Sequence, residues 1–536
     1  MTRSDDKPHA LGPFRSVAFR LLWTTGLVAN VCTWMSDVSA AWMMSSLTTA
    51  PLWVSLVQTA STFPVLLLGL PSGALADSLD RKTYLLFTQI WGAGTASLLS
   101  AAAYLGWMTP PVLLALVFAN GIGLAMRMPV LAAALPEVVP RAQLPAAMAL
   151  SAVSVNASRI LGPVLAGLLI SSAGSATVFL LNAILSIIAA WLASRWRRQA
   201  AKNHHGRERM LNAMRSGLQY VAQSSQLKGI LWRLGIFFHC ATALMCMLPL
   251  VARQLKDGGA GAYTLLIASM GAGAIASAQW LPRLRERYSR DSLVLRGAAV
   301  QAAAMMAMAV TERVWLAMPA MFIAGAAWIT VGNTLTLASH QCLPDWVRAR
   351  GLSISQMTVM GASAMGAAVW GQVAAWTSIP LSLASAAALA FIAIALASRI
   401  WPDVDTAEDL TPKRVSPMPE LEKPPIIGHV MVTIEYRIDV SRTSEFRALM
   451  LSEGRSSRLR HGAISWELLH DLHEPGRFVE MIVDPSWNDH LRRLDRITNS
   501  DAALRDRRRS FHIAEEEPRI RHSLMESTVK GNRSRM

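Results

Sequence analysis

The first three quarters of the chain alternate between long apolar segments and short polar connections. Each apolar segment has about 20 residues or more, the length of helix that crosses the roughly 30 Å hydrocarbon layer of a membrane. Apolar and polar residues do not alternate within these segments, which excludes the strands of a membrane barrel and predicts helices. Twelve spans are predicted, over residues 18–46, 52–76, 83–105, 110–134, 146–172, 176–194, 230–252, 262–282, 292–311, 314–341, 349–376 and 379–400.

The longest connection between spans divides them six and six. Two similarities between the halves favour a duplicated unit. The sequence LPEVVPRAQLPAAMALSAV from Leu135 resembles LPDWVRARGLSISQMTV from Leu343, and LADSLDRK from Leu75 falls opposite LPRLRERYSR from Leu281. The alternative is that basic loops after Leu-rich helices look alike without duplication.

Charge is distributed unevenly along the chain. The whole sequence has a net charge of +16, which raises the question of a nucleic-acid partner. Residues 1–400, however, hold 29 Lys and Arg against 12 Asp and Glu, whereas residues 401–536 hold 22 against 23. The excess therefore lies between apolar segments, where it orients the protein in a bilayer, and no nucleic-acid partner is predicted.

The short connections predict the orientation. Counted together with the adjoining ends of the spans, connections on the side of the N-terminus carry 23 Lys and Arg, and those on the other side carry three. Because basic loops stay in the cytoplasm, we expect a multi-pass protein of the bacterial inner membrane with both termini inside. The polar start of the chain has no small-residue cleavage site and is expected to be a cytoplasmic tail.

One acidic residue lies well inside a predicted span. Of the 12 acidic residues before position 400, only Asp37 lies well inside a span. The deeply placed cations are Arg159 and Arg127. A charge at the bilayer centre costs at least about 2.5–3.5 kcal/mol, so it must face a cavity, pair or be neutralised. One hypothesis is that Asp37 takes up and releases a proton, with Arg159 adjusting its proton affinity or binding an anionic substrate. The alternatives are fixed hydrogen bonds between helices, or a position of Asp37 near the outer headgroups.

Other polar residues in the spans are candidates for lining a substrate cavity, together with both arginines. They are Asn156, Asn120 and Gln58. Polar side chains also commonly join membrane helices without touching substrate. The four cysteines have no metal-ligand spacing, and no Walker loop or dinucleotide fingerprint is present, so no metal or cofactor is predicted and an ion gradient is the expected energy source.

A charged decapeptide, GALADSLDRK, follows the second span at residues 73–82. We expect Gly73 to permit close helix approach. Asp77 is expected to accept backbone N–H groups at the start of the third helix. Arg81 and Lys82 are expected to face the anionic inner leaflet and to be available to a partner charge.

This loop resembles the signature of the major facilitator superfamily. Gly73, Leu75, Ala76, Asp77, Arg81 and Lys82 match it, while Ser78 and Asp80 depart from it. The resemblance implies a latch that stabilises the outward-facing state, and transport by the rocking of two six-helix halves. Asp80 in place of glycine puts the loop's shape in question.

The fifth span contains NASRILGPVLAGLL, which resembles the Gly-Pro stretch of family antiporters, with Gly162, Pro163 and Gly167 in place. Proline kinks a helix and glycines permit close packing. Ser158 and Val117 depart from the antiporter pattern. Over residues 14–400 the chain is similar to the enterobactin-exporter-like, or transmembrane secretion effector, branch. That similarity implies export of a small organic molecule; uptake of the same class of solute is the alternative.

The C-terminal region predicts a separate small domain. A Pro-rich acidic linker is followed by strand and helix patterns in the order βαββα, which suggests a ferredoxin-like sandwich. The pattern is similar to the antibiotic-biosynthesis-monooxygenase type of dimeric α/β barrel, which implies a homodimer through this domain. Four histidines, His461, His470, His473 and His490, form no recognised metal site and are expected on the surface.

The sequence thus predicts an all-α polytopic membrane protein with 12 transmembrane helices in two halves, plus a small α+β domain, and a transporter instead of an enzyme. The rival interpretation is a membrane-anchored monooxygenase-like enzyme or ligand sensor. The predicted parts are a cytoplasmic tail (1–17), a first bundle (18–195), a central linker (196–229), a second bundle (230–400), a flexible linker (401–428), the ferredoxin-like domain (429–512) and a tail (513–536).

Overall fold

The computed structural model describes residues 11–140, 143–196, 210–402, 409–411, 413, 428–513 and 515–526. Most of the predicted N-terminal tail and flexible linker lies outside these described residues, as do the last ten positions. The chain divides into two compact units. The bundle unit comprises residues 1–206, 231–336 and 353–402, and the terminal unit comprises residues 207–230, 337–352 and 403–536.

Twelve long helices confirm the predicted count. The first six are α1 (Val17–Leu47), α2 (Pro51–Ser78), α3 (Arg81–Tyr104), α4 (Pro110–Val138), α5 (Leu144–Ala173) and α6 (Ser175–Arg195). After α7 (Met210–Gln223), the second six are α8 (Ser225–Gln254), α9 (Ala260–Arg287), α10 (Arg290–Val310), α11 (Val314–Gln341), α12 (Asp345–Trp376) and α13 (Ile379–Ile400). Among the described residues, ten helices meet a length and hydropathy criterion for crossing a membrane. The other two long ones, α1 and α3, have 31 and 24 residues.

Helix α7 lies within the predicted central linker. Its 14 residues are amphipathic and too polar and short for a span, so the apolar pattern does not reveal this helix. The sequence predicts a connection without a helix at these positions. The structure therefore gives this connection an ordered element.

The apolar core of the bundle unit joins both halves at one end. We call this the distal end, where α1 ends and α2 begins. Its core includes Met35 and Ala166 from the first half and Leu244, Leu266 and Ala367 from the second. A separate core at the opposite end consists of first-half residues only, such as Phe19 and Trp196. The halves are thus packed against each other at the distal end.

The C-terminal domain is a four-stranded antiparallel sheet with helices on one face. Its strands are β1 (His429–Arg437), β2 (Ser465–His470), β3 (Arg477–Asp484) and β4 (Arg519–Met525), in the spatial order β2-β3-β1-β4. Between β1 and β2 run α14 (Thr443–Leu449), a π-helical turn (Met450–Gly454) and α15 (Arg455–Arg460); α16 (Trp487–Asp495) and α17 (Asn499–Arg509) precede β4. Short 3₁₀ turns occupy Gly12–Arg15 and Val440–Arg442.

Strand β4 lies in the segment expected to be a tail. It pairs with β1, with Leu524 opposite Val430 and Ile520 opposite Ile434, and completes a βαββαβ ferredoxin-like order. Five of the seven residues of β4 are exposed. Because an exposed edge strand does not bury one face, its sequence does not have to alternate between apolar and polar residues, and RIRHSLM shows no such alternation. The domain therefore extends beyond residue 512.

Candidate functional site

Asp37 occupies a junction of three helices in the bundle unit. The Ser61 hydroxyl on α2 donates to Asp37 Oδ1 at 2.7 Å. Helix α4 approaches the same point, since a Cβ on Gly121 would lie 2.6 Å from the Ser61 carbonyl oxygen. Among the described residues Asp37 forms no ion pair. Its carboxyl group is therefore held by a single hydroxyl.

Arg159 lies beside the same face of α1. Its guanidinium carbon is 5.6 Å from the centre of the Trp34 ring, and its buried Nε has no hydrogen-bond partner. Trp34 precedes Asp37 by three positions, so the two side chains share one helix face. Gly162 permits this approach of α5, because a Cβ there would lie 2.5 Å from Trp34 Cβ. The predicted Asp37 and Arg159 thus flank one tryptophan without pairing.

Arg127 is buried on α4 and joins this helix to α1. Its side chain is 8% exposed, and Nη2 donates to Thr33 Oγ1 at 2.8 Å. Its Nε has no hydrogen-bond partner. In the described ranges, neither intramembrane arginine meets a carboxylate.

The three predicted amide residues do not join this group. Asn120 accepts from Thr95 at 3.5 Å, which links α4 to α3. Asn156 is exposed and donates to the Ala152 carbonyl within its own helix at 2.9 Å. Gln58 is half-buried, and its backbone carbonyl group accepts a hydrogen bond from the Thr62 hydroxyl. Within the described part of the chain, none of these three residues is hydrogen-bonded to Asp37 or Arg159.

The distal end is closed by a stack that sequence reasoning missed. Trp42 stacks on Tyr263 with ring centres 5.2 Å apart, and the Arg253 guanidinium lies 4.3 Å from the Trp42 ring. Arg253 Nε also donates to Ser45 Oγ at 2.9 Å. We call these four residues the distal gate. Trp42 follows Asp37 by five positions, or about 7.5 Å along a helix.

Small residues bring the halves together around the distal gate. A Cβ on Gly167 would lie 2.5 Å from Thr264 of α9, and one on Gly371 would collide with Ser55 of α2. The Thr59 hydroxyl donates to the Ala364 carbonyl at 2.8 Å. Pro163 lies inside α5 between Gly162 and Gly167 and is buried. Distal closure therefore depends on glycine at several contact points.

Comparison with known proteins decides the family. The family described as transmembrane secretion effector matches residues 8–529. The chain belongs to the transmembrane secretion effector family. It is therefore a transporter of the major facilitator type, and the predicted resemblance is confirmed.

Two relatives and two solved structures illustrate the match. The transporter is 26% identical over 342 residues to an uncharacterised MFS-type transporter, YfiS, of Bacillus subtilis (strain 168), covering 62% of this chain and 81% of that protein. It is 25% identical over 161 residues to a staphyloferrin A transporter of Staphylococcus aureus (strain NCTC 8325 / PS 47), covering 30% and 40%.

The solved structures show the fold. The nucleoside transporter NupG matches with a TM-score of 0.58 at 13% identity, over 72% of this chain and 100% of that one. A bacterial homologue of the lysosomal transporter Spinster, in an inward-facing and unoccupied conformation, matches with a TM-score of 0.58 at 14% identity, over 72% and 98%.

The loop between α2 and α3 of the transporter differs from expectation in the residue that caps α3. Asp80, not Asp77, caps α3, since its side chain accepts the Thr83 N–H at 2.9 Å. Asp77 belongs to the last turn of α2, and its side chain lies outside the described residues. Arg81 pairs with Glu137 of α4 at 2.8 Å.

The other two residues of the predicted latch are Gly73 and Lys82. A Cβ on Gly73 would meet nothing within 4 Å, so no close helix approach requires glycine there in this state. Lys82 is half-buried at the start of α3. Asp80 thus provides the ordered feature of this loop, because its short carboxylate suits an N-cap position.

The transporter's C-terminal domain contains buried ion networks. Glu480 is fully buried and accepts from Arg458 at 2.9 and 3.1 Å, from the Trp466 indole at 2.9 Å and from the Tyr436 hydroxyl at 3.2 Å. Burial acts to raise the pKa of Glu480, but the charge and hydrogen bonds of Arg458 outweigh it and lower that pKa to about 2. The network is therefore ionised at neutral pH.

Two of the histidines expected on the surface are buried. His490 is 2% exposed and contacts Asp484 at 2.8 Å, and His461 is 4% exposed and contacts Asp501 at 3.2 Å. Each of these two carboxylates also binds an arginine. The sequence does not predict these contacts, because the partners lie on different helices and strands. Neither histidine belongs to a metal-binding group among the described residues.

Proposed function

We propose that this transporter is a proton-coupled exporter of a small organic molecule in the bacterial inner membrane, with both termini in the cytoplasm. The observation that carries the proposal is Asp37, an intramembrane carboxyl group held by one serine hydroxyl and lying about 7.5 Å along α1 from the distal gate. A carboxyl group without a cation partner can gain and lose a proton at modest cost, whereas an ion-paired one cannot.

In this proposal the protonation of Asp37 is linked to opening of the distal gate. Trp42, which stacks on Tyr263 in the gate, lies on α1 five positions after Asp37. The gate joins the two halves, so a change of charge on α1 this close to the gate biases the equilibrium between closed and open distal ends. Rocking of the halves then exposes Asp37 to either side of the membrane.

Arg159 and Trp34 form the proposed substrate subsite. The unpartnered Nε of Arg159 and the ring face of Trp34 together suit a planar anionic group, such as a carboxylate on a conjugated system. Arg127, Asn156, Asn120 and Gln58 remain candidates for the cavity surface in other states of the cycle. A relative named for staphyloferrin A supports testing metabolites of that kind first.

We also propose that Gly73, Asp77, Arg81 and Lys82 act as a latch in the outward-facing state. The Arg81–Glu137 ion pair is exposed to 22% and 12% at its two side chains. Arg81 is expected to exchange Glu137 for a partner in the second half when the halves rock, because another carboxylate or backbone carbonyl can accept the same charge-assisted hydrogen bond.

The C-terminal domain is proposed to be non-enzymatic and to form a homodimer. The space between its sheet and helices is filled by Phe446, Phe478 and the Glu480 network. The opposite sheet face carries half-buried apolar residues, including Met431 and Met481, which suit pairing with a second copy. Replacing Met481 by Arg is expected to lower the mass measured by light scattering to that of a monomer; an unchanged mass would contradict the dimer.

A secretion screen tests the transport proposal. Deletion and overexpression strains are compared for metabolite release and drug resistance, with and without an uncoupler. We expect release that depends on expression and stops with the uncoupler. In the same cells, Asp37→Asn is expected to abolish coupling, while Asp37→Glu retains it. Release that continues with the uncoupler would contradict proton coupling, and expression-dependent accumulation would favour uptake.

A further inference from the structure

Basic residues concentrate where α9 ends and α10 begins. The segment from Leu281 to Arg296 contains five arginines against two acidic residues. One of the two acids, Asp291, already pairs with the buried Arg233 of α8 at 2.7 Å. Helix α9 carries Tyr263 of the distal gate near its start, so its last turn lies at the opposite end of the bundle. An excess of positive charge therefore remains at that end of α9.

One face of α9 combines an aromatic ring with two of these arginines. Trp280, Arg283 and Arg287 are three and four positions apart, so they share a helix face. All three side chains are exposed, Trp280 to 58%. From Ala260, the first residue of α9, to Trp280 the helix rises about 30 Å, the thickness of the hydrocarbon layer. Trp280 therefore lies at the level of the headgroups, and the two arginines lie just beyond it.

Arg296 of α10 extends to the same level from inside the span. It follows Arg290, the first residue of α10, by six positions, or about 9 Å, and its side chain is exposed. An exposed charge at this depth is expensive unless its side chain reaches the headgroups. The guanidinium carbon lies 4.0 Å from the centre of the Tyr288 ring, and Tyr288 precedes α10. The side chain thus runs back towards the membrane surface.

These three arginines lack an acidic partner. Among the described residues, Arg283, Arg287 and Arg296 form no ion pair, and the exposed Glu286 beside them forms none either. The corresponding turn of the first half differs, since Arg81 there binds Glu137 at 2.8 Å. The α9–α10 turn therefore presents three guanidinium groups that the described chain leaves available to an anion.

We propose that the α9–α10 turn is the docking site of an anionic phospholipid, whose phosphate group binds Arg283, Arg287 and Arg296. We call these three residues the lipid arginines. A guanidinium group binds phosphate oxygens through two parallel hydrogen bonds. Trp280 and Tyr288 provide amphipathic rings that pack against the glycerol and the first acyl carbons. The proposal goes beyond transport and depends on the proposed orientation only for which leaflet supplies the lipid.

The position of the site favours a lipid over a soluble anion. Free phosphate needs neither an aromatic ring at the headgroup level nor a cation on the hydrocarbon side of it. Trp280 and Arg296 occupy these two places. A phospholipid brings its phosphate to this level and its acyl chains along α9 and α10, so it contacts both kinds of residue.

Quenching by brominated lipid tests the proposal on the full chain. In a chain whose four native cysteines are replaced by alanine, Gln279→Cys, at an exposed position beside Trp280, carries a bimane label. The protein is reconstituted into vesicles of phosphatidylcholine mixed with phosphatidylglycerol that is brominated in its acyl chains. Quenching beyond that of random mixing measures the preference for the anionic lipid. We expect a preference of at least about tenfold at this label. The same label at Val310→Cys, at the distal end of α10, is expected to show little preference.

Variants identify the groups that bind the lipid. Arg296→Gln is expected to lower the preference about fivefold, because a basic residue near an anionic surface contributes about 1 kcal/mol. Arg296→Lys keeps the charge and is expected to retain most of the preference. The matched control Arg313→Gln, at an exposed arginine of the distal end, should not change it. Glu286→Gln removes a negative charge from the same turn and should not lower it.

Two additions to the buffer separate the lipid from other anions. High salt is expected to reduce the preference, because exposed charges are screened. Millimolar inorganic phosphate is expected to leave it unchanged, and competition by phosphate would overturn lipid docking in favour of a soluble anion. Arg283→Gln and Arg287→Gln, both beyond the span, give the same test if Arg296→Gln does not fold. Equal quenching by both lipids beside Trp280, or an unchanged preference in the arginine variants, would overturn the proposal. No outcome depends on transport.

Discussion

Buried charges are treated differently in the two units of this transporter. In the C-terminal domain, the buried carboxylates Glu480, Asp484 and Asp501 each bind at least one arginine. In the bundle unit, Asp37 binds one hydroxyl and Arg159 lies against a tryptophan ring. The domain compensates these charges. The described part of the bundle leaves Asp37 and Arg159 uncompensated, although it pairs the buried Arg233 with Asp291 at 2.7 Å.

The difference indicates what each set of charges is for. A compensated buried pair costs little while intact and resists change, so it fixes a structure. An uncompensated charge in a low-dielectric region is expensive, and it is tolerated where it must exchange a proton or a ligand. The networks of the domain therefore suit a role in folding, and we propose that the separated charges of the bundle serve transport.

Breaking a compensated network should have the largest effect on stability. Glu480→Gln leaves Arg458 buried beside an uncharged partner, which is expected to cost about 3–5 kcal/mol of unfolding free energy. Urea unfolding of a fragment containing residues 428–526 measures it. Glu467→Gln, at an exposed position on β2, is the control and should change stability little. A loss below about 1 kcal/mol for Glu480→Gln would contradict the assignment.

Acid should weaken the same network without any mutation. The pKa of Glu480 is lowered from 4.5 to about 2, so its folded state favours the ionised form. That contribution is complete above pH 4.5 and is lost as pH falls towards about 2. It amounts to about 3 kcal/mol, measured as urea unfolding against pH. A domain equally stable at both ends of this range would show that the carboxylate is not compensated.

Packing in the bundle gives a smaller, position-dependent effect. Gly162→Ala places a Cβ 2.5 Å from Trp34 Cβ and is expected to destabilise by about 1–3 kcal/mol. Gly73→Ala meets open space and should stay within about 0.5 kcal/mol. Thermal unfolding in detergent compares the two. Equal shifts would show that α1 and α5 do not rely on Gly162 for their close approach.

The fold was predictable from sequence because lipid imposes a strong pattern. Apolar length and basic connections identified twelve helices and their division into halves. Strand β4 and helix α7 are not predicted from the sequence, because an exposed edge strand and a short amphipathic helix need no long apolar run.

The site was predictable only in part. A carboxylate within a span is visible in any sequence, so Asp37 could be named. The distal gate could not, because Trp42 and Arg253 are 211 positions apart and meet only in the folded bundle. The buried histidines were misjudged for the same reason: Asp484 and Asp501 become their partners only through the sheet and α17. Asp80 directly precedes α3, a position where aspartate commonly caps a helix, but the comparison with the family signature treats it only as a departure from glycine.

The most direct test is the pH dependence of transport in Asp37→Asn, measured as substrate release from cells over an imposed proton gradient once the screen has identified a substrate. Asn keeps the shape and a hydrogen bond to Ser61 but carries no titratable proton. The account predicts that release falls at least about tenfold and no longer responds to the gradient, with the amount of folded protein unchanged. Release at the parental rate with the parental response to pH would contradict it.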